Sequence, residues 1–487
     1  MTPITAILLA LCFVGSIAAL LVLIRAVSQD QFGGPGAATV IFDQGLPGRV
    51  EEPSASEEQL KQIQLQVHGG ESPAEPDEDV EVRRQADASS SMVVKYFLAS
   101  SIFWLLVASV AGVMVAFKFN YPDWLTAYAP LTFGRLRPFH LNTAAYGWIS
   151  MAGIGIALWM IPRLMRTRLR GWRFAIAGGV LWNAAVCAGS AALLAGLTDG
   201  VEWLEFPWQI DMVLALAGAL AGVPLLLTIK ARQVEHLYVS ALYIFAAFLW
   251  FPILFVVANF PFVHYGVEHA TVNWWFAHNV LGLWLTPLGL AAAYYLIPKV
   301  IGKPIHSYQL SLLGFWALAL FYSQVGIHHL IGGPVPIWLS ALSIVTSVAM
   351  VIPVFAVAIN HHSTMIGHFR TLLYSPTLRF VVTGAMMYTL VSLQGSSMSL
   401  KSLNTITHFT HYTVAHAHMG VYGFVSMIFF GAIYFLLPRV TGREWPSRFL
   451  IQAHYWLALI GFGVYFVFLR IGGILQGLFM LDIVQPF

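Results

Sequence analysis

The sequence predicts an all-α polytopic membrane protein with about twelve transmembrane helices. Three observations carry this. First, 58% of the 487 residues are hydrophobic and 10% are charged, where soluble domains run near ~25% charged. Second, apolar runs of ~20 residues, long enough at ~1.5 Å per residue to cross ~30 Å of hydrocarbon, follow one another almost end to end. Third, charge is segregated. Residues 26–93 hold 13 of the 22 acids and four of the 25 basic residues, a balance of −9, and the rest of the chain carries +12. The formal net charge of +3 hides this split. An ordinary soluble globular protein is excluded.

The first run, residues 4–25, lacks a basic segment ahead of it, and Arg25 follows it. It reads as a retained helix and not as a cleaved signal. Residues 26–93 are rich in Glu, Asp, Ser, Gln, Pro and Gly. Such a segment buries too little apolar surface to offset its ordering entropy, so a disordered linker is expected, with a short helix at most over Ser56–Val67. The remaining spans fall at 94–118, 139–162, 173–196, 209–229, 237–259, 273–297, 308–331, 337–359, 378–397, 413–437 and 450–475. The two cysteines, Cys12 and Cys187, lie inside apolar runs, which excludes a disulfide framework, and no C-x-x-C-H haem-attachment motif occurs.

Lysine and arginine placement orients the bundle. Arg163, Arg166, Arg168, Arg170 and Arg173, then Lys230 and Arg232, Lys299 and Lys303, Arg370 and Arg379, and Arg439, Arg443 and Arg448 alternate in register. That side is expected to be cytoplasmic, with linker 26–93 on it and both termini outside. The outer loops are cation-poor except at Arg135, Arg137 and Lys401.

Of 17 histidines, several fall inside spans, where polar groups are costly and usually functional. A lone one is more often a hydrogen-bonded core residue; a cluster is not. His416 and His418 sit in AHAHMG, about 200° apart on one helix, so a single metal cannot take both, but two cofactors flanking the helix can. His328 and His329 are adjacent, His278 follows two tryptophans in WWFAHN, and His140 follows GRLRP. All six lie toward the outer half of the bilayer. Imidazole suits Cu, Fe and Zn, so redox chemistry or transport is indicated.

The segments FGRLRPFHLNTA, GVEWLEFPWQID, NWWFAHN, FWALALFYSQVGIHHL, SMSLKSLNTITHFTHYTVAHAHMG and AIYFLLPRVTG resemble, in order, the catalytic subunit of C-family, cbb-type haem–copper cytochrome c oxidases. The fold implied is a subunit I-like bundle over 94–487 plus one extra N-terminal helix. By that resemblance His140 and His418 are axial ligands of a low-spin haem b, and His416 is the axial ligand of a high-spin haem b. His278, His328 and His329 would bind one copper ion, and Tyr322, six residues before His328, would be the catalytic tyrosine joined to a copper-binding histidine. Arg135 and Arg137 would meet haem propionates, with Lys401, His408, His411 and Arg470 in the same outer polar region. Glu202 would help bind calcium, beside Glu205. Ser311, Tyr322, Tyr295, Asn360 and Tyr388 would form the proton-input path.

The chain departs from the family at Gln394, where a Glu is usual, at Gln324 for a Trp, and at His411 for an Asp. It also ends one helix before the family's C-terminus. Residues 1–48, with RAVSQDQFGGPGAATVIFDQG, resemble a small single-span assembly protein of these oxidases, joined here through the acidic linker 49–93.

The function implied is reduction of O2 to water with electrons from cytochrome c, coupled to proton translocation, in a bacterial inner membrane. Membrane-anchored cytochrome c subunits would be the partners, and nucleic acid would not. The alternative is a nitric oxide reductase, where a glutamate four residues after the first metal-binding histidine completes an iron site. That position is Gly282 here.

Overall fold

The computed structural model describes residues 36–42, 47–73, 76–260 and 263–482, with isolated positions 25, 28 and 484. The expected span 4–25, the bulk of the assembly-protein-like region and the last residues lie outside the described residues. Among the described residues, eleven helices long and apolar enough to cross a membrane follow a short helix α1, Glu57–His68. They are α2 Asp77–Lys118, α3 Phe133–Leu164, α4 Trp172–Ala195, α5 Trp208–Lys230, α6 Val239–Asn259, α7 Gly266–Ile301, α8 Tyr308–Leu330, α9 Ile337–Met365, α10 Pro376–Met398, α11 His411–Thr441 and α12 Arg448–Leu481. Among the described residues the only β pairing is an isolated bridge between Val201 and Leu204.

Start signals are local. Ser307, Ser375 and Ser447 accept a bond from the backbone three residues on, so α8, α10 and α12 begin where the sequence offers an N-cap. Gly302 and Gly442, both left-handed, end α7 and α11.

Three helices form the centre. Of their apolar stretches 94% (α3), 89% (α7) and 72% (α11) is buried, against 56% or less in every other span. They share a construction that sequence reading missed. Each carries a π-helical segment, Thr143–Ile149, Val280–Leu285 or Met419–Ser426, just after a span histidine. Each ends on proline and a cation: Pro162-Arg163, Pro298-Lys299 and Pro438-Arg439. The π segments leave carbonyls out of register, and hydroxyls take them up. Ser150 donates to the Ala145 carbonyl and Ser426 to that of Val421, both at 2.7 Å. The same hydroxyls tie the helices together, since Trp284 donates to Ser150 and Trp148 to Ser426 at 2.9 Å.

The expected disordered linker is a correction. The short helix expected over Ser56–Val67 is present as α1, with a capping box between Ser56 and Gln59, while α2 begins at Asp77, well before the expected residue 94. Several of the acids are engaged. Arg163 takes Asp87 through two bonds of 2.7 Å, Arg166 pairs with Asp79, and Glu51 and Glu52 are buried. Composition counted these carboxylates as solvated; their partners lie on helix ends remote in sequence.

Candidate metal centre

His278 sits near the start of α7, and His328 and His329 on the last turn of α8. That turn exists because Gly326 has φ 119°; a β-carbon there would strike the Trp274 carbonyl. One ligand nitrogen from each of the three histidines lies within 4.8 Å of the others. Among the described residues no other group of three or more His, Cys, Asp or Glu could hold a metal ion.

Outer partners orient the rings. Nδ1 of His328 meets the hydroxyls of Ser347 at 3.0 Å and Ser343 at 3.2 Å, which leaves Nε2 for a metal. His329 stacks on Trp274 at 4.3 Å. Nδ1 of His278 is buried without a partner, as a ligand nitrogen would be. Tyr322 lies against His278, ring centroids 5.1 Å apart. Gly282, one turn beyond His278, packs under it so closely that a β-carbon there would fall inside the Tyr322 ring.

His416 and His418 part as the helical angle requires. The His418 ring faces that of His140, 6.2 Å away and 12° from parallel. Nδ1 of His140 bonds the Ala108 carbonyl (2.8 Å) and Nδ1 of His418 that of Val414 (2.9 Å), so both Nε2 atoms are free to face one metal. The spacing suits a haem iron between them, at ~2 Å per metal–nitrogen bond. His416 turns to the other side, its Nδ1 3.3 Å from Gln394 Oε1, within electrostatic reach of His278, His328 and His329. The residues therefore fit two haems and a copper ion.

The outer polar residues are only partly brought together. Arg137 pairs with Glu202 and lies 3.9 Å from Glu205, while Arg135 donates to the Leu194 carbonyl at 2.8 Å. Burial, with Glu202 beside it, pushes the Glu205 carboxyl up to about 7. Glu202, the residue expected to help bind calcium, accepts a bond from Arg137. Lys401 is exposed, His408 stacks on Phe409 at 3.9 Å, and His411 bonds Gln476 at 3.0 Å. Arg470 donates to the Tyr412 hydroxyl at 2.5 Å. Gln324 bonds back to Leu320.

Of the expected proton path, Ser311, Asn360 and Tyr388 are buried, but Tyr295 points away, toward Arg163 (3.4 Å) and the Trp159 ring. Its neighbour Tyr294 takes the inward place, stacked on Tyr243 at 5.9 Å and against His361 at 4.3 Å. The hydroxyls of Tyr243, Tyr294 and Tyr388 and both His361 nitrogens are buried without protein partners. Tyr243, Tyr294 and His361 were missed in the sequence. His361 carried a signal, an ionisable residue inside a span.

The family described as cytochrome c and quinol oxidase polypeptide I matches residues 92–483. The chain is 33% identical over 402 residues to the cbb3-type cytochrome c oxidase subunit CcoN1 of Stutzerimonas stutzeri, covering 80% of this chain and 85% of that one. It is 32% identical over 400 residues to a cytochrome c oxidase subunit 1 homolog of Agrobacterium tumefaciens (79% and 74% covered). It is 31% identical over 405 residues to cytochrome c oxidase subunit 1 of Rhodobacter capsulatus (79% and 75%). A solved haem–copper terminal oxidase dimer shares the fold, with TM-score 0.65 at 14% identity over 82% of this chain and 78% of that one. With the histidine geometry and these similarities together, the chain belongs to the cytochrome c and quinol oxidase subunit I family, as a cbb3-type, haem–copper oxidase subunit I.

Proposed function

We propose that this chain is the catalytic subunit of a terminal respiratory oxidase that reduces O2 to water with electrons from cytochrome c, coupled to proton translocation across a bacterial inner membrane. The observation that carries the reading is the three-histidine cluster with Tyr322 against His278. His278, His328 and His329 would hold copper, His416 a high-spin haem b opposite it, and His140 with His418 a low-spin haem b. When bound, haem and copper would pass electrons from cytochrome c to O2.

The protein's own groups do the rest. Ser343 and Ser347 fix the His328 tautomer. Gln394 holds His416 without the charge that a Glu would add. Tyr322 holds a proton beside the copper ligands. Water bridging Tyr294, His361, Tyr243 and Tyr388 would carry protons to it, since buried polar groups without protein partners call for ordered water; Ser311 and Asn360, bonded to the Tyr308 and Ser307 backbone, would flank that path. Arg135 and Arg137 would meet haem propionates on the outer side, with Lys401, His408, His411 and Arg470 around that region. Membrane-anchored cytochrome c subunits would deliver electrons.

The nitric oxide reductase alternative needs a glutamate at 282, and the Tyr322 ring leaves no room for one. Metal and haem analysis of the purified complex, with gas measurements, tests the reading. One copper and two haems b in this subunit with O2 uptake are expected. A non-haem iron with N2O formation and no O2 turnover would overturn it.

A further inference from the structure

At the end of the bundle opposite the histidines, the three central helices α3, α7 and α11 finish on Arg163, Lys299 and Arg439. Their side chains are only 4%, 4% and 17% exposed; Lys299 and Arg439 bind one carboxylate, Glu51, itself 3% exposed, and Arg163, which Asp87 holds through two bonds, faces it as well. Lys299 Nζ lies 2.8 Å from it, Arg439 bonds it, and Arg163 is 3.9 Å away. Three like charges gathered out of water are unfavourable without a counter-charge. The family match begins at residue 92, so the anion comes from outside the family's own segment.

The chain around Glu51 is fitted to the same surface. Gly48 N–H donates to the Gly302 carbonyl at 2.8 Å, and Glu51 N–H to that of Lys299 at 3.1 Å, which occupies carbonyls that the end of α7 leaves open. The Arg49 carbonyl packs on Gly302, where a β-carbon would collide with it. Glu52 enters a pocket of hydroxyls, bonded by Ser375, Ser54 and Thr377, the last at 2.8 Å. Arg448 donates to the Ala55 carbonyl at 3.0 Å. A stretch of ten residues thus reaches the ends of three spans, α3, α7 and α11, and the starts of two more, α10 and α12.

We propose that the three-cation cluster is a docking site for an acidic peptide segment, that residues 47–56 occupy it in cis, and that Glu51 is the residue the site reads. The segment before α2 is then held by this contact as a subunit would be, and the exposed turn at Gly69 is only a tether. Glu52 sits in a neutral, hydroxyl-lined pocket and contributes shape more than charge.

The test uses the full-length chain in its purified complex. A protease site is inserted between Gly69 and Gly70 and cut in detergent, and size-exclusion chromatography at high salt asks whether residues 1–69 stay with the body. Retention is expected, because buried ion pairs are poorly screened. In Glu51→Gln the fragment should leave at least about a hundredfold faster, the scale of losing one partner of a buried ion pair. In Glu52→Gln it should stay. Haem content and absorption spectrum of the uncut variants report that the body has folded. Should Glu51→Gln fail to accumulate with haem, Arg439→Gln, which removes the most exposed of the three cations, should show the same release. Loss of the wild-type fragment, or retention in a folded Glu51→Gln or Arg439→Gln variant, would overturn the proposal. The second result would mean that the first apolar run, and not this site, holds the segment.

Discussion

At the residue scale, Gly282 decides more than its size suggests. Its missing β-carbon is the space that Tyr322 fills beside His278. Gly282→Ala should displace the tyrosine or the backbone, costing about 1–3 kcal/mol by overpacking and lowering copper content, both measurable by thermal unfolding and metal analysis. Ser343 and Ser347 act through His328. Replacing both with Ala should weaken copper binding by about 10–100-fold, as loss of outer-sphere partners does, with the haem spectrum unchanged; copper titration of the depleted enzyme reads this out. His361 is buried against Tyr294 with both nitrogens unpartnered. His361→Phe should slow steady-state O2 uptake by roughly tenfold or more and alter its pH profile, while His361→Gln, which still bonds water, retains more of the rate. Equal rates in the two variants would remove His361 from the path.

At the element scale, the segment before α2 shows why composition misled. Pattern reading saw acids without apolar neighbours and inferred disorder. Each key acid instead meets a cation at the far end of a central helix, and no local pattern records such a pairing. The two adjacent glutamates also respond oppositely to pH. Burial alone would raise Glu51, but Lys299, Arg439 and Arg163 hold it well below the usual carboxylate range. Its contribution is therefore complete above ~4.3, the ordinary Glu value, and lost only as pH falls below that toward the depressed value. Burial raises Glu52 despite bonds from Ser375, Ser54 and Thr377. Its contribution is present below ~4.3 and declines as pH rises through its folded value. Cleavage at the Gly69 turn followed over pH should show the segment bound through neutral and mildly acidic conditions, with release only in stronger acid. Glu52→Gln should flatten the neutral-side slope without releasing it.

On the scale of the whole molecule, the cation-rich ends and the histidine-bearing ends lie on opposite faces, so topology and chemistry share one axis. By the positive-inside rule the Arg163, Lys299 and Arg439 face is expected in the cytoplasm. A cysteine introduced at exposed Lys401 should react with an impermeant maleimide on intact cells, and one at exposed Arg232 only after permeabilisation. The reverse pattern would invert the orientation and the proposed direction of proton entry. The outermost span, α12, buries only 17% of its apolar stretch, consistent with a lipid- or subunit-facing position.

The sequence by itself determined the all-helical membrane class and eleven of the spans, to within seven residues apart from the start of α2, and it singled out the six histidines as a set. It also determined the opposed facing of His416 and His418. All of these follow from one-dimensional quantities: apolar run length, residue type and the 100° helical step. Tertiary structure alone decided which of Tyr294 and Tyr295 points inward, why position 282 has no side chain, and which hydroxyls orient His328. It alone paired Glu51 with three cations from three helices. Those depend on which helix ends and faces meet in space, and a contact between residues hundreds of positions apart leaves no periodicity in the chain that makes it.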